Sequence, residues 1–151
     1  MKNFNINILF ISVFGIGFIP FASGTFGSLA GLIFGYLINF INFNIFYFLI
    51  PILFILGVIG SNIYENNTGK KDSSIIVIDE VVGQIIAMIP VINNNYLIIL
   101  SFFIFRLFDI FKPWPASYID KKIKGGLGVM LDDVVAGIYT AIIIYLLSLI
   151  I

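Results

Sequence analysis

The chain contains no cysteine and no histidine. Without cysteine there is no disulfide framework, no thiolate zinc site and no thiol nucleophile. Without histidine there is no Ser-His-Asp triad, no phosphohistidine chemistry and no imidazole ligand for a metal. Charge is scarce as well: 11% of the 151 residues are charged, eight basic against eight acidic, so the net charge is zero. A neutral chain has no basic field of the kind that draws proteins to nucleic acid, and no nucleic-acid partner is expected. A catalyst of this composition has carboxylates, Lys, Arg, Tyr, Ser, Thr and a metal to work with. Oxygen ligands alone favour a hard cation, Mg²⁺ first and Mn²⁺ as a substitute.

What the chain has in excess is hydrocarbon. Sixty per cent of its residues are hydrophobic and 17% aromatic, against about 45–50% apolar in ordinary soluble domains. Length predicts one domain over residues 1–151, and composition makes the membrane its solvent. The expected fold is all-α, a compact multi-helix membrane-associated domain of apolar helices with a C-terminal candidate transmembrane helix. The amino end, Phe4 to Phe18, has the outline of a signal peptide, but its basic region is the single Lys2 and Asn5 and Asn7 interrupt it, so it is expected to stay attached. From Thr25 onward, Gly27, Gly31 and Gly35 recur four apart on one helical face, a spacing that lets helices approach closely in lipid. Ile45 to Gly60 forms a second apolar helix, broken near its start by Pro51, and Ser61 to Ser74 is a polar loop or exposed helix end. Ile75 to Met88 reads as helix through Asp79-Glu80. Pro90 and Asn93-Asn94-Asn95 turn the chain, and Tyr96 to Phe108 returns as helix. A second polar segment runs from Asp109 to Asp133, and Val134 to Ile151 is free of charge. Apart from Lys2, every basic residue lies in the two polar segments or at Arg106, which places both segments on the cytoplasmic face. Ile85–Val91 and Tyr96–Phe105, about 10–15 Å long at 1.5 Å per residue, are too short for two crossings and predict either a shallow hairpin or a packed core.

The acids stand out against this background. Asp79-Glu80, Asp109, Asp120 and Asp132-Asp133 all lie beside or within apolar stretches, where a carboxylate is costly unless paired, hydrogen-bonded or bound to a cation. Asp79-Glu80 and Asp132-Asp133 each open an apolar helix in this reading. Two acids there are favoured by about 0.3–1 kcal/mol even without function, so capping and metal binding both remain open. Arg106, Asp109 and Lys112 are spaced three apart, ahead of Pro113-Trp114-Pro115. They form either an ion-pair ladder on one helical face, or a group in which Arg106 and Lys112 hold phosphate oxygens while Asp109 reaches a metal. Trp114 and Tyr118 suit a membrane interface. Gly125-Gly126-Leu127-Gly128 lacks the Lys-Ser/Thr ending of a nucleotide loop, and it is either a flexible turn or a backbone cradle for an anion. Gly24-Thr25-Phe26-Gly27-Ser28 offers the same choice between phosphate binding and close packing.

Four blocks in order, Gly24-Thr25-Phe26-Gly27-Ser28, Asp79-Glu80-Val81-Val82-Gly83, Phe105 to Pro115, and Gly125 to Gly137, closely resemble the phosphatidylglycerophosphatase A family. The resemblance implies a Mg²⁺-dependent phosphatase of the bacterial inner membrane that converts phosphatidylglycerophosphate to phosphatidylglycerol, with its site on the cytoplasmic face. The catalytic set it implies is Asp79, Glu80, Asp109, Lys112, Asp132 and Asp133. Asp79, Glu80, Asp132 and Asp133 would be the main metal ligands or water-activating groups, with Asp109 ranked behind them, and Thr25, Ser28, Arg106, Lys112, Gly126 and Gly128 would contact the substrate. Asp120 is a weaker candidate. An Asp-x-Asp pattern is absent, so direct attack by water is expected rather than an aspartyl-phosphate. The rival reading is a small membrane scaffold or cation-relay subunit. It leaves unexplained why the acids cluster with Arg106 and Lys112.

Overall fold

A computed structural model describes residues 5–71 and 73–150. Lys2, Phe4 and Ile151, used in the sequence reading, lie outside the described residues. Among the described residues, seven α-helices and two short 3-10 turns make up the regular structure, with no strand. The helices are α1 (Ile6–Ile11), α2 (Ser23–Ile41), α3 (Ile45–Thr68), α4 (Ile78–Met88), α5 (Asn95–Phe111), α6 (Ala116–Lys122) and α7 (Gly126–Ser148). The all-α expectation holds.

Helices α2, α3 and α7 are long and apolar enough to cross a membrane, about 28–36 Å at 1.5 Å per residue. Their outer faces are hydrocarbon: Ile33 and Leu37 on α2, Ile52 and Ile59 on α3, Ile142 and Leu146 on α7 are all exposed. Their inner faces carry the small residues, because between lipid-facing helices association relies on close packing rather than on exclusion of water. The central element is α4, whose Val82, Ile85 and Met88 are fully buried, packed in one cluster with Ile11, Phe46, Tyr64 and Met130. The Gly27, Gly31 and Gly35 face of α2 lies on it. A Cβ on Gly27 would come 2.9 Å from Val77 Cβ, and one on Gly31 2.9 Å from Val81 Cα. The stripe is used as its spacing predicts.

Helices α4 and α5 form the expected hairpin, turned by the 3-10 segment Ile89–Val91 and capped where Asn94 accepts from the Tyr96 and Leu97 amides at 3.1 and 3.2 Å. The two polar segments meet at one end of the bundle, where Glu65 and Lys71 line a small cavity with Asp120, Lys121 and Lys124.

The amino-terminal run, to which the sequence reading assigns no helix, is followed by three boundaries that differ from that reading. After α1 the chain bends through Val13, Phe14 and Gly15, all at positive φ, into a 3-10 turn at Ile16–Phe18. Helix α3 passes through Pro51 unbroken. Ile75–Val77 is not helical, because the Val77 amide donates to the Ile11 carbonyl at 2.9 Å and holds the segment beside α1. Helix α7 begins at Gly126 rather than Val134, so Asp132 and Asp133 lie two turns inside it and do not open it. Both acids are buried. Charge here marks the inner face of a helix, whereas the sequence pattern alone suggests a helix end.

Candidate active site

The approach of α4 to α7 builds the site. Gly83 lies one turn beyond Asp79, and Gly137 one turn beyond Asp133. A Cβ on Gly83 would come 2.7 Å from the Asp133 carbonyl oxygen and 2.7 Å from the Phe105 ring, and one on Gly137 would come 2.5 Å from the Gly83 carbonyl oxygen. With both side chains absent the backbones touch, and the acids one turn back are drawn together. One carboxylate oxygen from each of Asp79, Glu80 and Asp133 lies within 4.8 Å of the others. At that separation two charges repel by roughly 3 kcal/mol per pair at an effective dielectric of about 20. Asp79 Oδ1 and Glu80 Oε2 are buried and have no hydrogen-bond partner. Burial, then the neighbouring Glu80 and Asp133 charges, raises the Asp79 pKa well above the carboxylate range, and burial pushes Glu80 up to about 7. Three oxygen ligands, two of them bearing orphaned buried atoms, fit a hard divalent cation, which would relieve both the repulsion and the missing partners.

Around this trio stand two cations. Arg106, one helical step before Asp109 on α5, pairs with it through Nη1 and also donates from Nη1 to Ser28 Oγ at 3.3 Å. Its Nε is buried without a partner. Lys112 caps α5 in the left-handed region, at φ 44°, where the helix ends. Its Nζ reaches Asp132 at 2.5 Å and Asp120 at 2.7 Å. Burial works against the Lys112 charge, but these two carboxylates outweigh it and hold the pKa above its ordinary value. The ladder therefore splits: Arg106–Asp109 is an intrahelical pair, whereas Lys112 ties α5 to α6 and α7. An ammonium has three N–H donors, so one stays available beyond these two bonds.

Glu80, Arg106, Asp109 and Lys112 line an open cleft of about 620 Å³ whose other walls include Ser23, Gly24 and the apolar residues Phe18, Ile19, Pro20 and Ile110. Polar groups and hydrocarbon thus share one opening.

Several expected site residues are placed elsewhere. Asp132 stands outside the trio: its Oδ2 is held by Lys112 and its Oδ1 accepts the Asp133 amide at 3.1 Å. The Gly126 amide donates to Asn62 Oδ1 at 2.8 Å and the Gly128 amide to the Gly125 carbonyl at 3.0 Å. Neither amide is left for an anion, and both glycines serve close packing, Gly126 against Ser61 and Gly128 against Ile123. Thr25 does not line the cleft, whereas its neighbours Ser23 and Gly24 do. Ser28 is fully buried and does not line the cleft; its Oγ donates to the Gly24 carbonyl at 2.9 Å and accepts from Arg106 Nη1 at 3.3 Å. Asp120 gains weight as a Lys112 partner. Asn62, an ordinary polar residue near the end of α3, has no sequence signal for its contact with α7.

The sequence profile described as Phosphatidylglycerophosphatase A matches residues 9–148. Phosphatidylglycerophosphatase A of Escherichia coli K12 is 35% identical over 136 residues, spanning 89% of this chain and 79% of that protein. The protein of the same name from Haemophilus influenzae Rd is 40% identical over 135 residues, 87% of this chain and 82% of its own. A Bacteroides thetaiotaomicron protein, provisionally named a phosphatidylinositol-3-phosphatase, is 39% identical over 139 residues, 87% of this chain and 86% of its own. No solved structure gives a significant match.

Proposed function

The chain belongs to the phosphatidylglycerophosphatase A family, and from that premise we propose that its cleft hydrolyses the phosphomonoester of phosphatidylglycerophosphate to phosphatidylglycerol and inorganic phosphate. The observation that carries this reading is the juxtaposition of Glu80, Arg106, Asp109 and Lys112 with the apolar lips Phe18, Ile19 and Ile110 around one cleft. A phosphorylated lipid headgroup needs both surfaces. A cation relay needs neither the two cations nor the open lip.

Asp79, Glu80 and Asp133 would hold Mg²⁺. When bound, the ion supplies charge neutralisation at the phosphoryl oxygens and makes water a better nucleophile. The protein's own groups do the rest. The Arg106 guanidinium and the remaining Lys112 N–H bind phosphate oxygens and orient the phosphorus for in-line attack. Of the carboxylates outside the acidic trio, Asp109 lines the cleft beside Arg106 and would accept the proton of the attacking water. Water forms the new P–O bond as its proton passes to Asp109, the P–O bond to the glycerol breaks, the departing alkoxide takes a proton from solvent in the open cleft, and Asp109 returns its own to solvent. Asp120 and Asp132 keep Lys112 charged and aimed. The cleft grips a phosphomonoester rather than the alcohol carrying it, so phosphatidylglycerophosphate and a phosphatidylinositol phosphate present it with the same chemistry. The basic residues of both polar segments favour the cytoplasmic face of a bacterial inner membrane for this end of the bundle.

The test is phosphate release by purified protein from both lipids, with chelator and with added cation. Chelation should abolish turnover, Mg²⁺ should restore it, and Ca²⁺, larger and less strict in geometry, should support it poorly. Full turnover in chelator would remove the metal from the reading. Absence of phosphate release from phosphatidylglycerophosphate would remove the reading itself.

A further inference from the structure

A second cavity lies beside the cleft, between α1, α2 and α3 and floored by α4. It has a volume of about 690 Å³, and every side chain lining it is apolar, among them Phe10, Phe14, Phe34, Leu37, Leu53 and Ile78. The cavity and the cleft share two walls. The first is the opening turn of α4, where Ile78 and Val81 face the groove while Glu80 lines the cleft. The second is the bend after α1: Val13 and Phe14 line the groove, and Gly17 and Phe18 line the cleft. This bend is the left-handed run at Val13, Phe14 and Gly15, with φ of 48°, 56° and 98°. Backbone in that region is costly for a β-branched residue such as Val13, and here it turns the chain after α1 so that one short segment lines both the groove and the cleft.

We infer that this groove seats one acyl chain of the substrate lipid while the cleft holds its phosphate. The inference rests on the phosphatase reading and specifies the part of the substrate that reading leaves free. Size selects the occupant. At about 30 Å³ for a group the size of a water molecule, 690 Å³ holds on the order of twenty methylene-sized groups, comparable with one lipid chain. A partner helix about 10 Å across would fill the same volume within two turns. Direction selects it too: the glycine face of α2 is turned to α4, and the groove follows Ala30, Ile33, Phe34 and Leu37 along α2, away from the end that carries the acids. A lipid whose phosphate lies in the cleft can lay a chain down this path. Apolar lining throughout and a volume within the usual range of ligand cavities match that use.

The experiment fills the groove and compares two substrates. Ala30→Trp and Ile33→Trp are prepared in full-length protein, with Phe34→Ala as the enlarging variant. Each is assayed on long-chain phosphatidylglycerophosphate in mixed micelles and on its deacylated water-soluble headgroup, used as substrate or as competitive inhibitor. The filled variants should raise KM for the long-chain lipid at least tenfold while leaving the constants for the deacylated headgroup unchanged, which also demonstrates an intact site. Phe34→Ala should shift preference toward bulkier, branched chains. A KM that rises equally for both substrates, or for neither, overturns the inference. Equal rises make the groove part of the scaffold of the site, and no rise leaves it a surface for bulk lipid. Wild-type protein inactive on both substrates overturns the phosphatase reading and this inference with it. Wild-type turnover that the filled variants leave untouched overturns the groove alone.

Discussion

Asp79 and Glu80 occupy the first turn of α4, where amides lack carbonyl partners and a negative charge is favoured by about 0.3–1 kcal/mol. Asp132 and Asp133 lie two turns into α7, where the helix takes the backbone amides for its own ladder and only the Asp133 amide, at 3.1 Å from Asp132 Oδ1, also meets a carboxylate among the described residues. The same kind of dipeptide is therefore stabilised in two ways. The α4 pair stays together and both members join the trio. The α7 pair divides, Asp133 joining Asp79 and Glu80 while Asp132 goes to Lys112. The difference teaches that adjacent acids on a helix can do separate work, because side chains at neighbouring positions point about 100° apart and each finds its own partner.

The comparison breaks first at Asp133. Asp133→Asn should lower kcat on the order of 10²–10³, while thermal unfolding in chelator shows a protein no less stable than wild type, because one of three mutually repelling carboxylates has gone. Wild-type kinetics would return Asp133 to a structural role. Next in size is Lys112→Met, which keeps most of the stem but removes the cation. A loss of roughly ten- to hundredfold in kcat/KM is expected, the equivalent of about 1.5–3 kcal/mol for a charge-assisted hydrogen bond. If the two acids of α7 do different work, Asp132→Asn should cost less than Asp133→Asn and should add little on top of Lys112→Met. Fully additive losses would deny the pairing of Asp132 with Lys112. Gly83→Ala tests the contact that unites the two pairs: a Cβ there meets backbone and a ring, so about 1–3 kcal/mol of stability should be lost to overpacking, with activity falling as α4 and α7 separate. The smallest effect belongs to Asn62→Ala. Losing the bond to the Gly126 amide resembles losing a helix cap, about 0.5–2 kcal/mol in denaturation, with kcat unchanged.

Much of this is legible in the residues. The apolar runs mark the helices, the four-residue glycine spacing marks the face of α2 that meets α4, and the short segments around Pro90 mark a hairpin. The acids and both cations of the cleft are visible as charge stranded in hydrocarbon. Legibility fails where a long-range partner decides. Ile75–Val77 is a β-branched run that reads as helix because it flows directly into Asp79-Glu80, and it is held out of one by a hydrogen bond to Ile11. Gly126 and Gly128 read equally well as an anion cradle until Asn62 and Gly125 are seen to take their amides. The start of α7 is hidden because charge ordinarily marks the end of a membrane helix, and here it faces a buried centre. Nothing local distinguishes Asp132 from Asp133. Which of them meets Lys112 depends on the left-handed turn that ends α5.

The glycine contact between α4 and α7 also constrains how this protein can change. Where a glycine meets a flexible side chain, a neighbour can yield: a Cβ on Gly35 would come 2.9 Å from Met88 Sδ, and a thioether with several rotatable bonds can swing aside. Gly35 can therefore be exchanged for alanine at modest cost, and Met88 offers a second place to compensate. At Gly137 the obstacle is the Gly83 carbonyl. Main chain cannot be made smaller, and no second substitution restores the fit. A library randomised at both positions should accept Ala at 35 and reject it at 137, because only one of the two sites has a neighbouring substitution that can rescue it.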